Sequence, residues 1–379
     1  DHAITWVRQQ QALMPDKPFF MYFAPGATHA PHHVPAEWSA KYRGKFDQGW
    51  DALREHIFAE QKKLGVIPQD AELTPRHDEI PAWDDMSDEL KPVLARQMEI
   101  YAGFLEQTDH EIGRVIDAID DLGVLEDTLI YYIIGDNGAS AEGTPTGCFN
   151  EMAVLNGMPG IETTEFLLSK IDDFGTPNAY NHYAVGWAHA LCTPYQWTKQ
   201  VASHWGGTRN GTIVHWPAGL EDKGTTRNQF HHVIDVAPTI LEAAGIPAPL
   251  YVKGIQQAPL EGVSMLPTLR DTAAPESHVV QYFEILGNRT AATVNTSEPR
   301  GAAGRPSCPR GVTDSESSAS SHRSSQYGIT PYVGRPVSDS SCRRPGSSSA
   351  VSPRNLLTTK PAISFWSAGS STATVRAPA

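Results

Sequence analysis

From Pro92 to Leu122 the apolar residues Leu94, Met98, Tyr101, Phe104, Leu105, Ile112, Val115, Ile116 and Ile119 recur at three- and four-residue steps, the rhythm of one face of a long amphipathic helix. Gly123 closes it. After Glu126-Asp127 the chain runs Thr128-Leu129-Ile130-Tyr131-Tyr132-Ile133-Ile134, an uninterrupted apolar strand that passes directly into Gly135-Asp136-Asn137-Gly138. A strand apolar on both faces needs cover on both faces. This helix and strand therefore predict an α/β fold: a mostly parallel central sheet with helices on both sides.

The same alternation recurs elsewhere. A helical rhythm over Ile4 to Leu13 leads into the apolar run Phe19-Phe20-Met21-Tyr22-Phe23, read as a buried parallel strand that ends at Ala24-Pro25-Gly26. Residues 211–217 read as a further strand and Val233 to Ala244 as a further helix. Between them lie stretches 64–87 and 138–190, rich in Pro, Gly, Asn and His, which read as long loops of the kind that carry function or move. Ligands of open α/β sheets bind beyond the carboxyl ends of strands. Two strand ends therefore carry candidate chemistry, with His29 after the first and Asp136-Asn137 after the second.

Charge divides the chain near Arg289. Residues 1–290 hold 39 acidic and 20 basic side chains, whereas residues 291–379 hold 4 and 10, with 20 serines among the latter. Such Ser/Arg/Pro text buries too little apolar surface to offset its ordering entropy. Residues 290–379 are therefore read as a tail, disordered or translated out of frame from GC-rich DNA, following a folded body over residues 1–289. The whole-chain charge of −13 argues against nucleic acid or an anionic membrane as partner. The longest apolar run is strand-sized, far short of the ~20 residues that span a bilayer, so a soluble chain is expected. The chain begins at Asp1 without a basic-then-apolar leader, which leaves cytoplasm and periplasm undistinguished. Oligomeric state is not legible. Cys148 and Cys192 in the body and Cys308 and Cys342 in the tail have neither metal-type spacing nor the density of a disulfide scaffold.

Asp136 and Asn137 place a carboxylate and an amide oxygen side by side, a hard-oxygen pair suited to Ca²⁺ or Mg²⁺, although Asp-Asn-Gly is also ordinary turn chemistry. His29 lies in Thr28-His29-Ala30-Pro31-His32-His33, where an imidazole can donate to an anion or protonate a leaving group; a surface histidine cluster is the competing reading. Lys199 precedes the Gly206-Gly207-Thr208-Arg209 turn, as either a solvated cation or an anion-binding one.

In order and context these segments resemble the sulfatases of the alkaline-phosphatase superfamily, the large bacterial arylsulfatases above all. The resemblance covers nearly all of residues 1 to about 289. It rests on Tyr101-Ala102-Gly103-Phe104-Leu105, Thr108-Asp109, Ile112-Gly113, Leu122-Gly123, Asp127-Thr128 and Gly135-Asp136-Asn137-Gly138, with His29-Ala30-Pro31-His32-His33-Val34-Pro35 and Asp235-Val236-Ala237-Pro238-Thr239-Ile240-Leu241 in agreement. It implies hydrolysis of a small-molecule sulfate ester, an alkaline-phosphatase-like sheet, a bound Ca²⁺ with Mg²⁺ as the alternative, and a formylglycine nucleophile. Asp136 and Asn137 would be metal ligands, and His29 and Lys199 would contact the sulfate and leaving oxygens. Asn137 favours the single-metal sulfatase arrangement over the two-zinc phosphatases, which commonly carry His there.

Two features depart from the family pattern. Lys199 precedes Gly206 by one residue more than the usual Lys-x5-Gly-Gly spacing, and Trp205 replaces the common Glu, which brings His204 in as an alternative cation. No Cys/Ser-x-Pro-x-Arg motif precedes His29. The nucleophile and two further metal carboxylates would then lie before Asp1, an incomplete fold and an inactive chain being the expectation. The alternatives are a phosphate or phosphonate ester hydrolase of the same superfamily and a catalytically inactive fragment.

Overall fold

The computed structural model describes residues 1–135, 137–278, 280–293, 348–349 and 370–376. Helix α1 (His2–Leu13) precedes strand β1 (Phe20–Phe23), helices α2 (Ala36–Ala40), α3 (Gly49–Lys63) and α4 (Lys91–Asp121), and strand β2 (Thr128–Ile134). Helices α5 (Glu151–Leu155), α6 (Thr164–Ser169), α7 (Val185–Leu191) and α8 (Trp205–Thr208) lead to strands β3 (Gly211–His215) and β4 (Thr226–Arg227) and helix α9 (Val236–Ala243). Beyond lie the hairpin of β5 (Tyr251–Val252) and β6 (Ile255–Gln256), helix α10 (Leu266–Arg270), the hairpin of β7 (Val280–Ile285) and β8 (Asn288–Thr293), and strands β9 (Ser348–Ser349) and β10 (Ser370–Arg376). No helix among the described residues is long and apolar enough to cross a membrane.

The period of α4 sorts its buried residues between two cores. Its first half, from Val93 to Ala102, packs with α3 and α7 around Trp50, Trp83 and Trp187. The rings of Trp50 meet those of Trp83 and Trp187 edge-on, at centroid separations of 4.9 and 5.5 Å, the arrangement that the ring quadrupoles favour. Its second half, from Ile112 to Ile119, packs with Val7 of α1, Met21 of β1 and Ile130 of β2. On the opposite face of β2, Leu129 and Tyr131 pack with Val214 of β3 and Leu266 and Leu269 of α10. The sequence of β2 is apolar throughout because both of its faces are covered.

Not every apolar strand is so enclosed. Phe19 and Met21 are buried, but Phe20 and Tyr22 are 54% and 67% exposed. Helices α1 and α4 cover one side of β1, so the two-sided burial expected of Phe19 to Phe23 holds on one side.

Strand direction corrects the expectation of a mostly parallel sheet. The order is β1-β10-β2-β3-β9-β4. Pairings β1 to β10, β10 to β2, β2 to β3 and β9 to β4 are antiparallel, and β3 to β9 alone is parallel among the described strands. β1 and β2 do run the same way, but β10 lies between them in the opposite sense. A continuous apolar strand reports burial on two faces, not the direction of its neighbours, which is why its text misleads here. Within the expected tail, Ser370 to Arg376 pair with β2, and Thr372 to Val375 of that strand also pair with β1. The hairpin of β7 and β8 carries the folded body across the expected boundary at Arg289. Apart from the two residues of β9, the rest of the tail, with Cys308 and Cys342, lies outside the described residues.

The stretch 138–190 is not a bare loop, because it carries α5, α6 and part of α7. Asn150 and Thr163 begin two of these helices, their side chains accepting the Met152 and Phe166 backbone N–H groups. Helix α3 holds the chain beyond α7. The Arg54 guanidinium, buried within it, donates to the backbone oxygens of Thr74, His189, Pro194 and Tyr195.

Candidate active site

A cavity of about 210 Å³ opens beyond the carboxyl ends of β1 and β2, lined by Thr28, His29, Ala30, His32, Asn137, Gly138, Ser140, His182, Tyr183 and Lys199. It brings together three of the four residues singled out in the sequence. The fourth, Asp136, lies outside the described residues. His204, the alternative to Lys199, is absent from the lining and sits beside Ser203, its Nδ1 2.8 Å from the hydroxyl.

The turn after β1 presents His29, whose backbone N–H donates to the Gly26 carbonyl at 3.0 Å. Its Nδ1 lies 2.8 Å from the Ala30 carbonyl. A carbonyl only accepts, so Nδ1 carries the hydrogen and Nε2 is left for a ligand. His32 lies deeper, its ring centroid 5.0 Å from those of Tyr101 and His182 and 5.1 Å from that of Tyr183. Burial holds its pKa well below the usual histidine range, assisted by the neighbouring His182, His29 and His33.

Lys199 reaches the cavity because its loop is stitched to the end of β2. The Lys199 N–H donates to the Ala139 carbonyl at 2.9 Å, and the Gly138 N–H to Asn210 Oδ1 at 3.2 Å. Gly138 has φ +83°, and a Cβ there would lie 1.9 Å from the Gly206 carbonyl oxygen. Only glycine fits so close an approach in that conformation. In the turn between Lys199 and Gly206, Gln200 has φ +74°.

The Lys199 ammonium meets Glu142 Oε2 at 3.0 Å, both side chains being largely buried. Glu142 also accepts from Gln200 Nε2 at 2.9 Å and Ser140 Oγ at 2.8 Å. Burial alone would raise the Glu142 carboxyl, but the Ser140 and Lys199 hydrogen bonds and the Lys199 charge outweigh it and hold the pKa below the usual carboxylate range. His182 Nε2 lies 2.9 Å from Ser140 Oγ, and Nδ1 lies 2.9 Å from the Tyr183 carbonyl. Burial brings the His182 pKa down to about 4, so the ring is neutral near neutral pH. Glu151, at the start of α5, completes the group: an oxygen of Glu142, an oxygen of Glu151 and a nitrogen of His182 all lie within 4.8 Å of one another. Glu142, Glu151 and His182 escaped the sequence reading because they lie within 138–190 and meet only through the paired backbones of Cys148 with His182 and Asn150 with Tyr180. No residue spacing encodes that meeting.

The calcium expected beside Asn137 is not accounted for by the described residues. Of its two expected ligands, Asn137 lines the cavity and Asp136 is undescribed. One amide oxygen falls far short of the ~6 to 8 oxygens Ca²⁺ takes.

What the cavity can do follows from its charges. The Lys199 ammonium and the free Nε2 of His29 line a small space with neutral groups around them, a setting for a tetrahedral oxyanion whose leaving oxygen is protonated as it departs.

Comparison with known proteins points the same way. The chain is 33% identical over 235 residues to an uncharacterized sulfatase of Schizosaccharomyces pombe, covering 61% of this chain and 40% of that protein. It is 26% identical over 264 residues to an arylsulfatase of Klebsiella aerogenes, covering 69% of this chain and 53% of that one. The chain thus spans about half the length of the curated relatives it matches or less. The sulfatase family model matches residues 1–246, from α1 into the turn after α9, and takes in every residue of the cavity. With its cavity lying inside that match, the chain belongs to the sulfatase family.

Proposed function

We propose that this chain forms part of an arylsulfatase-type site that hydrolyses small-molecule sulfate esters. The observation that carries the reading is the single cavity in which His29, Asn137 and Lys199 converge from three separate segments. Lys199 places a positive charge against the sulfate oxygens, while Glu142 fixes where that ammonium sits. His29, holding one proton on Nδ1 through Ala30, donates from a protonated Nε2 to the ester oxygen as the sulfur–oxygen bond breaks. Water supplies the balance, and the products are inorganic sulfate and the free alcohol or phenol.

Asp136 and Asn137 are proposed as oxygen ligands of a hard divalent cation, Ca²⁺ or Mg²⁺, which when bound would neutralise sulfate charge. The family's formylglycine is the proposed nucleophile of the whole enzyme and has no counterpart in a Cys/Ser-x-Pro-x-Arg motif upstream of His29. The amide at Asn137 supports sulfate over the phosphate esters handled by two-zinc relatives.

Phenol release from an aryl sulfate, an aryl phosphate and an aryl phosphonate, compared at equal concentration, tests the proposal. Preferential cleavage of the sulfate is expected of an enzyme containing this site together with its nucleophile. Preference for the phosphate or phosphonate would overturn the substrate assignment. If an aryl sulfate binds to residues 1–379 no better than to a Lys199→Ala variant, the anion-binding role falls.

A further inference from the structure

Behind the Lys199 ammonium, the group formed by Ser140, Glu142, Glu151 and His182 contains more lone pairs than protons. The Tyr183 carbonyl requires a hydrogen on His182 Nδ1 and leaves a lone pair on Nε2. That lone pair faces Ser140 Oγ at 2.9 Å, and the same hydroxyl lies 2.8 Å from Glu142 Oε2. One hydroxyl proton cannot serve both acceptors. Glu151 is only 4% exposed, and its carboxylate receives no hydrogen bond or ion pair from any described residue. Burial and the nearby Glu142 charge accordingly raise its pKa. Lys199 and Gln200 satisfy Glu142 but donate nothing to Glu151. Two carboxylates thus stand near one ammonium that bonds only Glu142, and an oxygen of each carboxylate and a nitrogen of His182 lie within 4.8 Å of one another.

We propose that Glu142, Glu151 and His182 form a binding site for a divalent transition-metal ion of the Zn²⁺ class. Mixed carboxylate and imidazole donors suit such an ion better than Ca²⁺, which prefers an all-oxygen shell. Tetrahedral ligands at ~2.0 to 2.2 Å from zinc lie roughly 3.3 to 3.6 Å apart, and the three donor atoms here already fall within 4.8 Å. Carboxylate rotation closes the difference. The hydrogen bond from Nδ1 to a backbone carbonyl is the outer contact that fixes a metal-binding histidine in the correct tautomer. Gly143 lets the chain pass close behind it, since a Cβ there would lie 1.9 Å from the Tyr183 carbonyl oxygen. The three ligands are different residues from the proposed pair Asp136 and Asn137, and the site stands whether or not the chain cleaves sulfate esters.

Lys199 competes with the ion for Glu142, and that gives the test its sign. Chelator-treated protein is titrated with Co²⁺ as the spectroscopic stand-in, following the visible d–d absorption and the heat of binding. The expected result is one Co²⁺ per chain with a nitrogen-ligand spectrum that excess Ca²⁺ does not displace. Glu151→Gln should weaken binding by at least about tenfold, since losing even a hydrogen-bond partner of a ligand costs roughly that much. Lys199→Met should tighten it. Glu151→Gln preserves shape, and unchanged far-UV circular dichroism in both variants separates a lost ligand from a lost fold. Equal Co²⁺ affinity in the parent and Glu151→Gln, displacement by Ca²⁺, or weaker binding in Lys199→Met would each overturn the proposal.

Discussion

Replacing Gly138 by alanine tests whether the backbone of the β2 turn sets the position of Lys199. The new methyl would sit 1.9 Å from the Gly206 carbonyl oxygen, where ordinary contact begins near 3.4 Å. One of the two backbones must therefore retreat by about 1.5 Å, and neither can turn aside as a side chain would. The left-handed conformation adds ~1 to 2 kcal/mol for a residue with a Cβ. Two other glycines separate these terms. Gly123 has φ +70° and open space around it, whereas at Gly26 a Cβ meets nothing within 4 Å and φ is not left-handed. Denaturant unfolding should therefore show Gly26→Ala near neutral, Gly123→Ala losing ~1 to 2 kcal/mol, and Gly138→Ala losing more than either. In an active enzyme containing this site, a displacement of that size should lower aryl sulfate turnover by about a hundredfold. Gly138→Ala with parental stability and turnover would refute the claim that the contact with Gly206 positions the Lys199 loop.

Lys199→Ala and His29→Ala should each lower aryl sulfate turnover in the active enzyme by on the order of a hundred- to a thousandfold, ~3 to 4 kcal/mol of transition-state stabilisation. His204→Ala should cost far less, and the opposite ranking would move the cation along the loop. Calorimetric titration of residues 1–379 should show weak Ca²⁺ binding, because two expected oxygen ligands cannot replace the ~6 to 8 the ion takes; low-micromolar affinity would contradict this. Asp235 supplies a pH signature. Burial would raise its carboxyl, but the imidazoles of His231 and His278 and the backbone N–H groups of His232 and Val263 outweigh burial and bring its pKa down to about 2. A folded value below the unfolded one stabilises above about pH 4, and that contribution is lost as the pH falls toward 2. Asp235→Asn should consequently destabilise by about 2 kcal/mol at neutral pH, with the gap to the parent narrowing through that acid window; a gap independent of pH would refute the assignment.

What could be read from the sequence was what local periodicity encodes. Thr128 to Ile134 form β2, and the long helix begins and ends within a residue of its expected limits. The expected helix after β4 begins as a 3-10 turn at Val233–Asp235 before α9. Helix α3 has the same rhythm in a weaker form, with Trp50, Leu53, Arg54, Ile57 and Gln61 buried along one face. Arg and Gln among those positions disguise the stripe. His29, Asn137 and Lys199 were legible because each follows a strand end or precedes a glycine pair. Glu142, Glu151 and His182 were not, since backbone pairing between distant segments brings them together. Strand direction was equally hidden, because two-sided burial produces the same apolar text in either sense.

Arg54 has a consequence for when the loop that carries Lys199 can open. Its four backbone acceptors span Thr74 and the segment from His189 to Tyr195, a few residues before Lys199. Burial brings its pKa down to about 10, so it remains charged near neutral pH, and releasing those carbonyls would strand a cation in the interior. The segment that delivers Lys199 should therefore open only when α3 itself comes away. Its amide hydrogens would exchange with solvent on the slow schedule of that helix rather than on the fast one usual for surface connections, making the cavity's cationic wall part of the same cooperative unit as the tryptophan core.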